Sequence, residues 1–190
     1  GPNQHGSLVV WSTDARRREL ELNLGRNVSP YAVDIWGNRH NETGHPHLQQ
    51  SVSTNAHRLE LSATPKFIEN VELPLMKLHA QFALVPNRAE ATHAAHQHKL
   101  RVYNPWPHTL SGTIRITDPK QGHWKIEPRI QRISVPAGKT MMLPLTITFP
   151  VNAPIGQKII RAELDFEAGR GRKRRVVLKT PLTIGLKGYD

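Results

Sequence analysis

The densest group of charged side chains in the sequence is a basic run near its C-terminal end. Its members are Arg170, Arg172, Lys173, Arg174 and Arg175, with glycines at positions 169 and 171. Guanidinium groups form paired hydrogen bonds with carboxylate, sulfate and phosphate, so the run is suited to an anion. The glycines favour a turn, and charges at a turn also protect a sheet edge from pairing. The run therefore predicts either an anion-binding hairpin or a solvated turn.

A second candidate is Trp106, which lies between Pro105 and Pro107. The two prolines restrict the backbone and could hold the indole outward as a stacking surface for a sugar. The same position suits an indole that covers the open end of a β-sandwich, and the sequence leaves both interpretations open. For the earlier Trp11 and Trp36, sugar stacking is conceivable, but the expected role is burial in a small core.

Histidines form the strongest candidate metal cluster, at His93, His96 and His98. On a strand, His96 and His98 would share one face, as zinc or copper ligands do. They would share that face with Leu100 and Val102, which favours a role at the edge of the core. A second group, His40, His45 and His47, lies in a polar segment without further ligands. We therefore expect no metal site and no cofactor.

Three carboxylates, Glu163, Asp165 and Glu167, would lie on one face of a strand beside Arg161. Glycosidases place two carboxylates across a cleft, about 5 to 9.5 Å apart. Three carboxylates on one outward face are instead typical of a solvated stripe. The sequence contains no nucleophile elbow and no phosphate-binding loop, so we expect no catalytic residues and no enzyme activity.

Charge is distributed unevenly over the 190 residues, whose formal net charge is +11. Residues 1–72 hold seven Lys or Arg against eight Asp or Glu, whereas residues 73–190 hold nineteen against seven. A basic second part attracts anionic partners, although solubility alone explains many surface cations. No apolar run is long enough to span a bilayer. The absence of cysteine excludes disulfides and thiolate metal sites, and it fits a bacterial secreted protein as well as a cytosolic one.

Apolar and polar residues alternate over most of the chain, which is typical of strands with one buried and one solvated face. Residues 1–7 have the composition of a tag remnant. Residues 8–72 predict a small β-sandwich, 73–76 a linker, and 77–190 a second sandwich in which 75–85 is the first strand. Seven or eight strands in the second part are typical of an immunoglobulin-like fold. The predicted fold class is all-β, with two consecutive antiparallel β-sandwich units.

The first part contains the phrases VVW, LELNLG, VDIWGN and LELSATPKFIEN. They resemble the accessory β-sandwich that follows the catalytic (β/α)8 barrel in many clan A glycoside hydrolases. In that family, a strand ending in Asp, an aromatic residue, Gly and Asn leads into a hairpin. The resemblance covers residues 8–72 and implies that the chain is part of a larger enzyme or enzyme-like protein.

The second part contains LRVYNPWPHTLSGTIRITDP, GHWKIEP, ISVPAGKTMMLPLTITFP and NAPIGQKIIRAELDF. Over residues 77–187 it resembles the bacterial Ig-like domain found beside carbohydrate-binding modules in alpha-galactosidases and other polysaccharide-degrading proteins. The resemblance implies a fold and a setting, without catalytic residues. The matching positions are Asn104, Gly112, Pro119, Trp124, Gly138, Pro150, Pro154 and Gly156.

These observations predict a non-catalytic accessory module of a secreted or periplasmic bacterial carbohydrate-active protein. Its expected partners are other domains of the same parent chain and a polysaccharide, acidic or sulfated, bound weakly through Trp106 and the basic run. One alternative is a module that binds nucleic acid or another polyanion through the basic second part, although a stacking groove needs interleaved aromatic residues. Another alternative is an enzyme with a site between the two parts.

Overall fold

The computed structural model describes residues 5–13, 18–25, 28–40, 49–50, 56–117, 119, 124–150, 153–168 and 173–186. The chain divides into two compact units, residues 1–77 and 78–190. Both are built mainly from strands. The predicted fold class is confirmed: the chain is all-β, with two consecutive antiparallel β-sandwich units, of which the second is immunoglobulin-like. Within the described residues, no helix has the length and apolar character needed to cross a membrane.

Unit 1 contains two small sheets. One has the strand order β1-β7-β3-β4 and the other the order β2-β6-β5. Ala32, Leu59 and Ile68 are buried, because alternation directs one side of each strand inward. The strands are β1 (His5–Val10), β2 (Arg18–Leu22), β3 (Tyr31–Val33), β4 (Arg39–His40), β5 (Gln49–Gln50), β6 (His57–Leu61) and β7 (Lys66–Glu72). Residues 5–7, which the sequence analysis attributed to a tag remnant, belong to β1.

A helix, α1 (Leu73–Gln81), replaces the linker predicted at 73–76 and most of the strand predicted at 75–85. The prediction of a strand was wrong because this segment is rich in Leu, Met, Lys, Ala and Gln, which favour helix. Pro74 stands in the first turn, where its missing N–H costs no hydrogen bond. Leu75 and Leu78 are buried at a spacing of three residues, which is a helical period.

Unit 2 consists of two facing sheets with the orders β12-β14-β10-β8 and β13-β11-β15-β16-β9. All pairings within them are antiparallel except that of β16 with β9. The strands are β8 (Ala83–Val85), β9 (Arg88–Glu90), β10 (His96–Tyr103), β11 (Leu110–Thr117), β12 (Lys125–Glu127), β13 (Ile130–Val135), β14 (Thr140–Thr148), β15 (Gly156–Ala168) and β16 (Lys173–Gly185).

The core of unit 2 follows from the alternation along its longest strands. In β15 the even-numbered residues from Ile160 to Phe166 are buried, and in β16 those from Val176 to Ile184 are buried. The opposite sheet contributes alternate residues such as Leu100 and Leu145. Odd-numbered residues of β15 and β16 therefore form one outer face, which carries the charged side chains.

Gly112 in β11 lies against β15 with no room for a side chain. A Cβ atom there would overlap the carbonyl oxygen of Asp165 and lie 2.8 Å from the Cα of Phe166. These are backbone atoms of a paired strand, so they cannot move without disturbing the sheet. The glycine at this position is thus required by the close approach of the two backbones.

We expect Gly112→Ala to lower the free energy of unfolding of unit 2 by about 3 kcal/mol, at the upper end of the range for overpacking. Gly185→Ala is the matched control, since a Cβ atom at Gly185 would meet no heavy atom within 4 Å. Urea titrations followed by far-UV circular dichroism measure the free energy of unfolding of both variants. Equal stability of the two variants would contradict this close packing.

Candidate functional site

Trp106 is buried, with 9% of its surface exposed. Its indole packs on Phe166 with ring centroids 5.1 Å apart, and the guanidinium of Arg174 lies 5.8 Å from the centroid of the indole. The structure thus supports the interpretation in which Trp106 covers the sandwich. In this conformation the indole is not available as an outward stacking surface.

Asn104 holds the backbone of the Trp106 loop in place. Its side-chain amide donates hydrogen bonds to the carbonyl oxygens of His108 and Val135, at 2.7 and 2.8 Å. Its side-chain oxygen accepts a hydrogen bond from the backbone N–H of Trp106 at 2.9 Å. Since Asn104 is fully buried, these bonds satisfy polar groups that would otherwise be costly to bury. The loop is therefore positioned by an internal network.

The basic run is only partly within the described residues: Lys173, Arg174 and Arg175 begin β16, whereas Arg170 and Arg172 lie outside them. Arg175 donates two hydrogen bonds to the carboxylate of Asp165, at 2.6 and 3.0 Å. The basic run therefore has an acidic neighbour at Arg175. The register of β15 and β16 explains the pair, because it places Asp165 directly opposite Arg175.

Electrostatics at this ion pair follow from the two hydrogen bonds. The hydrogen bond from Arg175 is the main cause that holds the pKa of Asp165 below its ordinary value, and partial burial opposes it. The charges of Arg175 and Arg115 lower the pKa of Asp165 further. Asp165 therefore stays ionised, so it can hold the guanidinium of Arg175 in place but cannot act as a proton donor.

The other two carboxylates of the stripe also face cations. Glu163 lies opposite Arg115 of β11, and Glu167 lies opposite Lys173 of β16. The three acidic residues therefore share one outer face with basic neighbours. This arrangement differs from two carboxylates placed across a cleft, the geometry that glycoside hydrolysis uses.

The histidine cluster is directed at backbone groups and an aromatic ring. The Nδ1 atom of His93 is 3.2 Å from the carbonyl oxygen of Phe149, and Nδ1 of His98 is 2.7 Å from that of Pro86. The ring of His96 stacks on Phe149 with centroids 4.8 Å apart. No group of three or more His, Cys, Asp or Glu in the described part of the chain could hold a metal ion. His45 and His47 lie outside that part.

Trp11 and Trp36 are exposed, with 54% and 76% of their surfaces accessible. The prediction that both are buried was wrong, because both lie outside the strands: Trp11 directly follows β1, and Trp36 lies in the turn between β3 and β4. A sequence signal for Trp36 was present: Asp34, two residues, Gly37 and Asn38 match a three-residue hairpin loop with glycine in the left-handed region. In the structure Gly37 has φ 86°.

A shallow depression in unit 2 is lined by residues 125–129 and Thr146 and is open to solvent. Its charged groups include Lys125 and Glu127, whose Nζ and Oε2 atoms are 3.1 Å apart. One paired carboxylate in an open depression offers no enclosed site for a substrate.

Comparisons with known proteins gave likenesses of structure only. No family model and no curated protein matches the chain. The solved structures that are similar in part include three of different origin. WR4, an MSP family member of C. elegans, is 13% identical, with 55% of this chain and 98% of that chain covered and a TM-score of 0.36. A FixG-related protein from Vibrio parahaemolyticus is 15% identical, covering 50% and 82%, with a TM-score of 0.33. The CupB2 chaperone of Pseudomonas aeruginosa is 16% identical, covering 54% and 54%, with a TM-score of 0.32.

Likenesses this distant carry no argument about function. The resemblances to glycoside hydrolase accessory domains and to the bacterial Ig-like domain of alpha-galactosidases remain predictions from sequence.

Two histidines of unit 2 are kept neutral by burial. Burial is the main cause that lowers the pKa of His79 to about 4, and the charge of Lys179 contributes. Part of the His79 ring reaches the surface, but its Nε2 atom is buried without a hydrogen-bond partner. For His98, burial is again the main cause of a lowered pKa, opposed by the hydrogen bond to Pro86.

We expect the stability of unit 2 to fall as the pH drops from about 6.5 to about 4. The unfolded chain binds protons at these histidines first, so acid favours the unfolded state, by up to about 3 kcal/mol for His79. His79→Leu should flatten the dependence, whereas Ala80→Gln, in the same helical turn, should keep it. Urea titrations at several pH values measure the slope, and an unchanged slope in His79→Leu would contradict the assignment.

Proposed function

We propose that the chain is a non-catalytic accessory β-sandwich module of a secreted or periplasmic carbohydrate-active protein, joined to other domains of the same parent chain. The observation that carries the proposal is that the residues of the Ig-like motif serve the architecture of unit 2. Asn104 fixes a loop, Gly112 permits two strands to approach, and Trp124 is buried with its ring 5.2 Å from that of Phe149.

The two remaining glycines of the motif have backbone roles. Gly138 has φ 66° in the turn between β13 and β14, and Gly156 has φ 112° at the start of β15. Residues with side chains rarely adopt these conformations. These five members of the motif are explained by turns, close approach and burial, and none of the five needs a reaction to account for it, which supports a scaffold.

Chemistry on the described surfaces agrees with a scaffold. The acidic stripe is matched by cations, the three described histidines of the cluster point at backbone oxygens or stack on a ring, and the depression is open. In an accessory module the work is to space and dock neighbouring domains, for which a close-packed sandwich with a polar outer face is suited.

We expect the chain to show no turnover on a panel of aryl glycosides and polysaccharides. The reason is that Asp165 is paired with Arg175 and that Glu163 and Glu167 lie opposite cations in the strand register, not across a cleft. Product formation is measured by released aryl alcohol and reducing ends. Turnover that is lost in Glu163→Gln or Glu167→Gln but kept in Glu90→Gln, an exposed residue of β9, would contradict the proposal.

A second candidate function, weak binding of an acidic or sulfated polysaccharide, is favoured by the outer face of β15 and β16. The register puts Arg161 directly opposite Lys179, and Arg115 lies one row away, opposite Glu163. Cations gathered on one outer face attract a polyanion. The described residues of this face include no aromatic side chain for stacking bases, which favours a glycan over nucleic acid.

Binding to dextran sulfate tests this second candidate. Asp165→Asn should increase retardation in native gels that contain the polymer, because it releases the guanidinium of Arg175. Arg175→Ser should decrease retardation, and added salt should weaken it through counterion release. Arg174 is not substituted in this test, because its guanidinium covers Trp106 and its loss would affect packing.

Matched controls separate the local effect from net charge. Glu90→Gln and Lys99→Ser change the net charge equally elsewhere in unit 2, and neutral dextran replaces the charged polymer. All melts should be nearly unchanged, since the ion pair is exposed. If Asp165→Asn binds no more tightly than Glu90→Gln, or the native chain is not retarded at low salt, the outer face is only a solvated surface.

A further inference from the structure

The four-stranded sheet of unit 1 exposes a group of apolar side chains that the proposed function does not use. We call it the tryptophan patch and define it as Val9, Trp11, Ile35 and Trp36. Their exposed fractions are 41%, 54%, 48% and 76%. The outer face of an antiparallel sheet is ordinarily polar, and contiguous exposed apolar groups commonly mark a binding site.

The strand register brings the members of the patch to one end of the sheet. β7 lies between β1 and β3, and Phe67 of β7 is paired both with Val9 of β1 and with Val33 of β3. Trp11 is two residues beyond Val9, and Ile35 is two residues beyond Val33. Two strand spacings, about 10 Å, separate β1 from β3. Trp11 and the loop that carries Trp36 are therefore neighbours across β7.

The Trp36 loop is preorganised by Asp34. One carboxylate oxygen of Asp34 accepts hydrogen bonds from the backbone N–H groups of Trp36 and Asn38, each at 2.9 Å. The other oxygen accepts a hydrogen bond from the side-chain amide of Asn38, also at 2.9 Å. Backbone bonds between Asp34 and Asn38 and from Gly37 to Asp34 close the turn. An exposed indole on a loop ordered in advance loses little further entropy on binding.

Charged groups near the patch are engaged inside unit 1. The guanidinium of Arg39 lies 4.4 Å from the ring centroid of Tyr31 and donates a hydrogen bond to its hydroxyl. The ammonium of Lys66 donates to the carbonyl oxygen of Glu60 at 3.0 Å. With Asp34 bound by its own loop, the described residues of the patch and around it offer aromatic and aliphatic surface and no free charge, and that complements a neutral ligand.

The size of the patch fits one face of a polysaccharide chain. Taking roughly 150–250 Å² for a whole aromatic side chain, the four residues expose roughly 500 Å² together. A stable protein interface covers roughly 800 Å² per partner, so a protein would also have to contact the polar surface around the patch. A single polysaccharide chain is narrower, and the C–H groups on the faces of its pyranose rings carry the partial positive charge that the negative face of an indole attracts.

We propose that the tryptophan patch binds a neutral polysaccharide, with pyranose rings stacked on Trp36 and Trp11. Only residues of unit 1 carry this inference, so it does not depend on the proposed function or on the basic face of unit 2. A second copy of the chain is the competing occupant that the experiment must separate.

The test is depletion of the full chain from solution by insoluble cellulose, mannan and chitin at high salt, which suppresses binding through charge. For the polymer that binds, Trp36→Ala and Trp11→Ala should each lower the association constant about tenfold, as expected for one lost stacking partner. Trp36→Phe should retain part of the affinity because it keeps an aromatic face. Met142→Ala, an exposed apolar residue of unit 2, should bind as the native chain does.

The thermal unfolding midpoint of each variant should equal that of the native chain, because Trp36 and Trp11 are exposed. Light scattering over a range of concentrations should show the same mass for the native chain and Trp36→Ala. Three results would overturn the proposal. They are no depletion by any of the three polymers, depletion unaffected by either tryptophan change, or a concentration-dependent dimer that Trp36→Ala abolishes, which would assign the patch to contact between copies.

Discussion

The pairing of β15 with β16 is the constraint on which most of unit 2 depends. Its register runs from Gly156 opposite Ile184 to Glu167 opposite Lys173. Because side chains alternate with a period of two, this register alone decides which residues enter the core and which face solvent. A shift by one residue would bury Asp165 and Glu167 and expose Leu164 and Phe166. The cost of burying unpaired carboxylates excludes that alternative.

Side chains at the tip of the same hairpin depend on this register as well. Phe166 is paired with Arg174, so the guanidinium lies 5.6 Å from the Phe166 ring centroid and also above Trp106. One residue further along, Arg175 meets Asp165. Two described members of the basic run are thus used within the hairpin: the guanidinium of Arg174 covers the aromatic end of the core, and that of Arg175 pairs with a carboxylate. Cation binding to ring faces and to carboxylates both suit Arg better than Lys.

Local sequence patterns predicted those parts of the fold in which alternation is strong. Strands β10, β11, β14 and β15 follow directly from their apolar residues, as does the placement of Glu163, Asp165 and Glu167 on one outer face. The same patterns failed at α1, where helix propensity outweighed a brief alternation of apolar residues. They also could not pair Asp165 with Arg175, because that contact depends on a register set over the whole hairpin.

The four tryptophans show most clearly what the sequence could not decide. Local context suggested burial for Trp11 and Trp36 and left Trp106 open, yet the structure exposes the first two and buries Trp106. Exposure depends on what the rest of the fold places over a side chain, and that is a long-range property. Sugar stacking is therefore available to the exposed Trp11 and Trp36 of unit 1 and not to the buried Trp106 of unit 2. There, short strands leave a sheet end uncovered, and a loop ordered by Asp34 presents an indole.

The most direct test of which tryptophans are exposed and which are buried is oxidation of the native protein by limiting N-bromosuccinimide. Peptide mass spectrometry then shows which indoles have reacted. The reagent modifies accessible indoles. The account predicts that Trp36 and Trp11 are oxidised in the folded chain, whereas Trp106 and Trp124 react only after denaturation, since they are 9% and 3% exposed. Oxidation of Trp106 as fast as Trp36, or protection of Trp36 in the folded chain, would contradict it.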